Sequence, residues 1–252
     1  IVNIGKPERF EDFAPDRPDG LADCRKMLAD PVSRQRLHAY LGQLRDEAFA
    51  PHNAFTVGEV FDTDPAELAL FIGQGGFFSS MFDFAAACWG GSPKGWYDAK
   101  KPGPDNYRDC CFGSALRAAG VGFLSNIIEN HDEPRGASRY LPEETANDPR
   151  AQKALAAVQM LLPGLPFLYQ GQEIGMTNTV FPSIDAVDDV NTHGEYAAAL
   201  AAGLAPGEAL SRVARWSRDN ARTPVQWSAE HAAGFTAGTP WLPVNPNYAR
   251  VN

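Results

Sequence analysis

The chain has 252 residues, of which 44% are hydrophobic and 21% charged, so it can bury a core and is not intrinsically disordered. Its net charge of −9 argues against a nucleic-acid or anionic-membrane partner and suits a neutral substrate such as a sugar. No stretch approaches the ~20 apolar residues that a membrane-spanning helix needs.

Strand-like and helix-like patterns alternate along the chain. The sequence predicts a loop over residues 5–19 and helical structure from Gly20 to about Phe49, with Pro31 beginning a second helix. Asp64 is predicted to cap a short helix that starts at Pro65. The further predicted helices cover 106–119, 149–162 and most of 183–217, and the predicted strands cover 54–61, 77–84, 123–128 and 166–170. A helical crossover between successive strands implies that the strands are parallel.

Polar residues follow three of the predicted strands where each strand ends. The apolar run 123–128 leads into Asn-His-Asp at 130–132, the run 55–61 contains the single acid Glu59, and residues 162–176 repeat the layout. Polar groups at the ends of buried parallel strands are typical of an active-site rim in an α/β barrel. For Glu59 taken alone, a solvated acid at a strand end is the alternative.

These segments resemble the fifth, seventh and eighth barrel strands of the α-amylase superfamily of retaining glycosidases, in that order. Residues 126–135 carry the seventh-strand motif. Residues 217–227, 233–236 and 240–248, together with 176–178, resemble the oligo-1,6-glucosidase and α-glucosidase branch. The resemblance implies an α/β fold, a (β/α)8 TIM barrel, of which this chain holds about strands five to eight with their helices.

The resemblance also implies where the chain lies in that barrel. It runs from the first residue to the last, so we expect residues 1–252 to form one partial catalytic domain that starts just after strand four, without a complete second domain. By this register the nucleophilic Asp stands one position before Ile1, and the isolated chain should hydrolyse no glucoside. In this branch a calcium-binding loop follows the first barrel strand, a region that the resemblance places outside this chain. We therefore expect no metal here, and the reaction requires no cofactor.

Retaining cleavage needs two carboxyl groups about 5–5.5 Å apart. The resemblance assigns the acid/base role to Glu59. It makes Asp132 the third essential acid, which holds sugar hydroxyls and stabilises the oxocarbenium-like transition state. His131 is similar to a residue that donates to hydroxyls of the same ring.

Two arginines are candidate substrate-binding residues. Arg222 resembles an arginine that reaches the non-reducing sugar, and its alternative role is a salt bridge to Asp219 or another acid. Arg135 is expected either to line the pocket entrance or to pair with Glu133.

The implied substrate is a small oligosaccharide with terminal α-glucosidic bonds. In this branch Val after the nucleophile goes with α-1,6 bonds and Ala with α-1,4 bonds, so Ile1 predicts a preference for α-1,6. Glucosyl transfer or isomerisation of the trehalulose- or trehalose-forming type is an alternative, and a non-catalytic amylase-like ectodomain that escorts transporters is another. The sequence carries no signal for the oligomeric state.

The cysteines bear on the cellular compartment. They are Cys24, Cys88 and the adjacent Cys110 and Cys111, which cannot easily pair with each other, and no CxxC spacing indicates zinc. We therefore expect reduced structural thiols, which favour a cytoplasmic protein.

Overall fold

The computed structural model describes residues 30–60, 65–85 and 92–252. The chain forms two compact units, residues 1–81 and 82–252. The predictions for the loop at 5–19, the first part of the helical region, the Asp64 cap and Ile1 lie outside the described residues. The expectation of one partial domain over the whole chain stays a prediction.

The first unit contains the predicted second helix. This helix, α1, spans Pro31–Leu44, and Asp30 caps it by accepting a hydrogen bond from the Ser33 backbone N–H at 2.9 Å. Pro31 stands in the first turn, where its missing N–H costs nothing, so the prediction that a helix begins there is confirmed. A short π-helix at Arg45–Phe49 and a 3-10 turn at Ala50–His52 follow.

Two short parallel strands follow in the same unit. Strand β1 is Val57–Gly58 and strand β2 is Ser80–Met81, separated by a 3-10 turn at Pro65–Glu67 and helix α2 at Leu68–Ile72. Val57 pairs with Ser80 in parallel register.

The second unit repeats the alternation of strand and helix. Its strands are β3 at Ser125–Asn126 and β4 at Leu165–Pro166. Its helices are α3 at Pro104–Ala118, α4 at Gly136–Tyr140, α5 at Pro149–Leu161, α6 at Val190–Ala201, α7 at Pro206–Ala214 and α8 at Asp219–Arg222. Shorter 3-10 turns lie at Trp96–Asp98, Ile184–Ala186, His231–Gly234 and Pro246–Ala249.

Strands β3 and β4 are parallel, and Phe82 makes a further parallel bridge to Ser125. The predicted parallel arrangement is therefore confirmed for both described strand pairs, although each strand is shorter than predicted. Pro166 fits β4 because the N–H groups on either side of it make the bonds: Leu165 donates to the Leu124 carbonyl oxygen at 2.8 Å and Phe167 to that of Asn126 at 2.9 Å.

Gly164 allows the close approach of β4 to β3. Its φ is 127°, and a Cβ atom there would lie 2.4 Å from the carbonyl oxygen of Leu124. A residue with a side chain would therefore push the two strands apart where they begin to pair.

Helices α6 and α7 pack against each other around Ala199, Ala209 and Val213, which are completely buried. Trp96 and Tyr97 pack against this cluster, and Glu195 accepts a hydrogen bond from the Trp96 backbone N–H at 2.7 Å. The predicted helical stretch between residues 183 and 217 is thus two helices with a tight connection.

The cysteines differ in part from the expectation. Cys111 is a buried thiol without a disulfide, as expected, whereas Cys110 is disulfide-bonded, so the prediction of reduced thiols is wrong there. The cytoplasmic location rested on that prediction and stays a prediction. Within the ranges that the structure describes, no helix is long and apolar enough to cross a membrane.

Candidate active site

The loop that follows β3, residues 129–136, carries the Asn-His-Asp motif. Its two ends are buried at Glu129 and Arg135, while His131 and Asp132 between them are exposed. Asn130 fixes the turn, since its side-chain oxygen accepts a hydrogen bond from the Asp132 N–H at 2.8 Å. The strand thus ends in a loop that presents two polar side chains to solvent.

Asp132 is held by two arginines through one of its oxygens. Oδ1 accepts from Nη2 of Arg222 at 2.7 Å and from Nη1 of Arg218 at 3.2 Å. The second oxygen, Oδ2, lies 3.5 Å from Nε2 of His131. With the side chain 42% exposed, Oδ2 keeps acceptor capacity for a ligand hydroxyl.

Arg222 contacts two neighbouring residues of the loop. Besides its bond to Asp132, its Nε donates to the carbonyl oxygen of His131 at 2.9 Å. The structure therefore brings His131, Asp132 and Arg222 together. Arg222 does pair with an acid, as the alternative role required, and that acid is Asp132 rather than Asp219.

Helix α8 is anchored by buried side chains at its start. Asp219 accepts hydrogen bonds from the N–H groups of Asp188 and Asp189 at 2.7 and 2.9 Å. Asn220 donates to the carbonyl oxygens of Ala214 and Ser217. Because these anchors fix the helix, the backbone of Arg222 has a defined position facing the loop after β3.

Arg218 is a site residue that the sequence analysis missed. Its Nη1 contacts Asp132 and its Nε lies 3.2 Å from Oδ1 of the buried Asp189. The spacing of Arg218 and Arg222 could have identified it, because residues four apart face the same side of a helical turn. Asp189 also caps α6 and balances part of the positive charge around Asp132.

The prediction that Arg135 binds substrate is wrong. Its side chain is 0% exposed and pairs with Glu129 at 2.9 Å, so it neither lines an entrance nor pairs with Glu133. Glu133 pairs instead with Arg139. In both pairs the acid stands six positions before the arginine.

Burial raises the pKa of the Glu129 carboxyl. The charge of Arg135 and hydrogen bonds from Arg135 and the Gly136 N–H act in the opposite direction. The pKa is raised because desolvation penalises the charged form in this enclosed place.

Glu59 belongs to the first unit and directly follows β1. Its side chain is exposed at the end of the strand, which matches the alternative of a solvated acid at a strand end. Its acid/base role stays a prediction.

Two further details concern the surroundings of the motif. Glu173 accepts a hydrogen bond from the Gly171 N–H at 2.8 Å and so stabilises the turn after β4. Among the described ranges, no group of three or more His, Cys, Asp or Glu side chains could hold a metal ion.

The sequence matches the family described as alpha amylase, catalytic domain, over residues 11–252. The chain therefore belongs to the α-amylase family, and its fold class is the α/β (β/α)8 barrel, represented by part of the barrel.

Two related proteins of known name are similar to this chain. The chain is 34% identical over 244 residues to an oligo-1,6-glucosidase of Parageobacillus thermoglucosidasius, with 94% of this chain and 43% of that protein covered. It is 32% identical over 246 residues to an alpha-glucosidase of Pediococcus pentosaceus, with 94% and 44% covered. The chain thus spans less than half the length of these relatives.

A solved structure of similar fold is the trehalulose synthase MutB from Pseudomonas mesoacidophila MX-45, with a TM-score of 0.79 and 31% identity over 100% of this chain and 44% of that one. Another is the isomaltulose synthase of Erwinia rhapontici NX5, with a TM-score of 0.78 and 30% identity over 98% of this chain and 44% of that one.

Proposed function

We propose that this chain supplies the acid/base residue and the sugar-holding residues of a retaining glycoside hydrolase that acts on terminal α-glucosidic bonds of short oligosaccharides. The observation that carries the proposal is the cluster at the end of β3, where Arg222 and Arg218 both hold Oδ1 of the exposed Asp132. The names of the curated relatives, oligo-1,6-glucosidase and alpha-glucosidase, support the same reaction class.

The cluster can form hydrogen bonds with two hydroxyls of one sugar ring. Oδ2 of Asp132 can accept a hydrogen bond from one hydroxyl while Nε2 of His131, 3.5 Å away, donates to a neighbouring one. Positive charge develops on the sugar in the oxocarbenium-like transition state. A carboxylate in fixed contact with the ring stabilises that charge, and its hydrogen bonds strengthen as the charge forms.

Glu59 is the proposed acid/base. In this role its carboxyl donates a proton to the leaving glycosidic oxygen and then takes one from the water that releases the sugar. Its place directly after β1 supports the role, since side chains at the ends of parallel barrel strands reach the catalytic face. The nucleophile is a separate aspartate, expected one position before Ile1.

The finer part of the proposal concerns linkage and setting. We place α-1,6 bonds ahead of α-1,4 bonds because the resemblance puts the β-branched Ile1 at the position where Val goes with α-1,6 bonds. The names of the oligo-1,6-glucosidase relatives support this order. The proposed substrate is a small oligosaccharide, and the reaction uses no cofactor and no nucleic-acid partner. The proposed location of the protein is the cytoplasm.

A second candidate is glucosyl transfer or isomerisation. The solved structures of similar fold are named trehalulose synthase and isomaltulose synthase, and 31% and 30% of their aligned residues match this chain. Water and a sugar hydroxyl compete for one covalent intermediate, so the same residues serve both outcomes.

One experiment tests both candidates. The complete protein that carries this chain is incubated with isomaltose and, separately, with sucrose, and the products are resolved by chromatography. Release of glucose from isomaltose supports the hydrolase. Conversion of sucrose into an isomeric disaccharide supports the transferase, and no turnover of either sugar would overturn both candidates.

A further inference from the structure

Arg135 and Glu129 form a buried ion pair directly behind the exposed motif. The two side chains are 0% and 1% exposed, and Nη1 of Arg135 donates to Oε1 of Glu129 at 2.9 Å. From this pair we infer that Glu129 and Arg135 are positioning residues, which set the geometry between Asp132 and Arg222 without touching the sugar. The inference rests on the proposed function.

One carboxylate closes the loop that carries the motif. Oε1 of Glu129 accepts a hydrogen bond from Nη1 of Arg135, and Oε2 accepts one from the backbone N–H of Gly136. Both donors lie at the far end of the loop, so Glu129 ties its start to its end. His131 and Asp132 lie between the two tied ends and have little freedom to shift along the chain.

The guanidinium of Arg135 also reaches the segment that carries Arg222. Nη2 of Arg135 donates to the carbonyl oxygen of Ala221 at 3.4 Å, and the Tyr169 hydroxyl donates to the same oxygen at 3.2 Å. Ala221 immediately precedes Arg222. The same guanidinium lies 5.2 Å from the Tyr169 ring centroid, and its Nη1 donates to the Gln170 carbonyl oxygen at 2.8 Å.

The turn after β4 leaves room for this guanidinium. Gly171 has a φ of 89°, and a Cβ atom there would lie 3.2 Å from Nη1 of Arg135 and 2.4 Å from the sulfur of Met176. Three separate chain segments, the loop after β3, the turn after β4 and helix α8, therefore meet at one side chain.

Stability alone is a weak reason for such a pair. Burying two charges removes their hydration, and hydrophobic side chains of similar volume often serve a fold equally well. Nε of Arg135 has no hydrogen-bond partner among the described residues, which adds to the cost of burial. The directional bonds to Gln170 and Ala221 are what a hydrophobic pair would not supply.

The test removes both charges together, so that no lone charge stays buried. In the complete protein, Glu129→Leu with Arg135→Met is compared with Glu133→Leu plus Arg139→Met, a second Glu–Arg pair of the same spacing. On isomaltose we expect kcat of the first double variant to fall about 10²-fold with a smaller change in KM, as for a displaced catalytic group. The control pair should change kcat no more than about twofold.

A second readout does not depend on turnover. Amide hydrogen exchange should accelerate in residues 129–136 and 219–222 together in the first double variant, and not in the control. If the first double variant does not fold, Arg135→Lys takes its place, because a lysine keeps a charge beside Glu129 but cannot replace the planar guanidinium that reaches Gln170 and Ala221.

The outcomes separate the two proposals. Three results would overturn the positioning role. They are unchanged amide hydrogen exchange at residues 219–222, a parental kcat in the first double variant, and an equal loss of kcat in both double variants. A parent protein that turns over no isomaltose would overturn the proposed function, while coupled acceleration of exchange in the two segments would still support the positioning role.

Discussion

Arg222 and Asp132, which are 90 positions apart in the chain, meet through a 2.7 Å contact between Nη2 and Oδ1. At the same time Nε of Arg222 donates to the carbonyl oxygen of His131. One planar group thus holds both a side chain and the backbone of the loop. Such a paired arrangement depends on the shape of the guanidinium as well as on its charge.

Replacement of Arg222 by lysine should therefore damage catalysis although the charge is kept. A lysine ammonium cannot make both contacts in this fixed geometry. Losing one hydrogen bond to a charged group, worth about 1.5–3 kcal/mol, should lower kcat/KM on isomaltose about 10- to 100-fold. Arg108→Lys, at an exposed arginine paired with Asp105 and Asp109, is the matched control and should be neutral. Parental kcat/KM in Arg222→Lys would refute the argument from shape.

The Asp132→Asn variant separates charge from hydrogen bonding. The amide oxygen can still accept from the arginines, but the negative charge that faces the developing oxocarbenium ion is lost. We expect kcat on isomaltose to fall by about 10²- to 10³-fold, in the range of other lost electrostatic contacts. The thermal midpoint should change little because the pair is partly exposed. The same change at the exposed Asp105 is the control, and equal kcat in both variants would exclude Asp132 from the chemistry.

The fold was predictable where the pattern is local. Pro31 predicted the start of α1, and the run of apolar residues before Asn130 predicted a strand followed by a polar loop. Strand lengths were not predictable, because parallel pairing depends on partners far along the chain. Residues Leu124–Asn126, for example, pair with Leu165–Phe167 some 40 positions later.

The motifs pointed to two residues that the structure brings into contact, Asp132 and Arg222, whose roles stay predictions. Arg135 was assigned to the substrate because a sequence does not show burial. Its six-residue distance from Glu129 becomes meaningful only when the loop between them is folded back. Arg218 was missed because its contacts, to Asp132 and Asp189, come from two other segments.

Asp83 predicts a dependence of stability on pH. Burial raises the pKa of this carboxyl, while hydrogen bonds from Ser114 at 2.9 Å and from the Ala85 N–H at 3.1 Å, and the charge of Arg117, act in the opposite direction. A raised pKa means that the folded state binds the proton more tightly than the unfolded state. This contribution to stability is complete below the pKa of an unfolded aspartate and is lost as pH rises through the folded pKa.

The Asp83→Asn variant removes this titration and keeps an oxygen that can accept both hydrogen bonds. The difference in thermal midpoint, variant minus parent, should therefore become more positive between about pH 3 and about pH 7. The same substitution at the exposed Asp105 should give a difference that is flat across that range. A flat difference for Asp83→Asn would show that its burial does not influence folding stability.

The last prediction concerns the preference of the complete protein for α-1,6 over α-1,4 bonds. If Ile1 directly follows the nucleophile, its β-branched side chain is stiff and occupies space beside the aglycone site. It should exclude the α-1,4 approach more than the flexible α-1,6 approach. A pocket-shape effect of about 1–3 kcal/mol corresponds to about a 10- to 200-fold preference for isomaltose over maltose in kcat/KM. In the complete protein, Ile1→Ala should shift this ratio toward maltose, whereas Val180→Ala, at an exposed valine, should leave it unchanged. Equal values for the two sugars in the parent, or an unchanged ratio in Ile1→Ala, would remove Ile1 from the specificity argument.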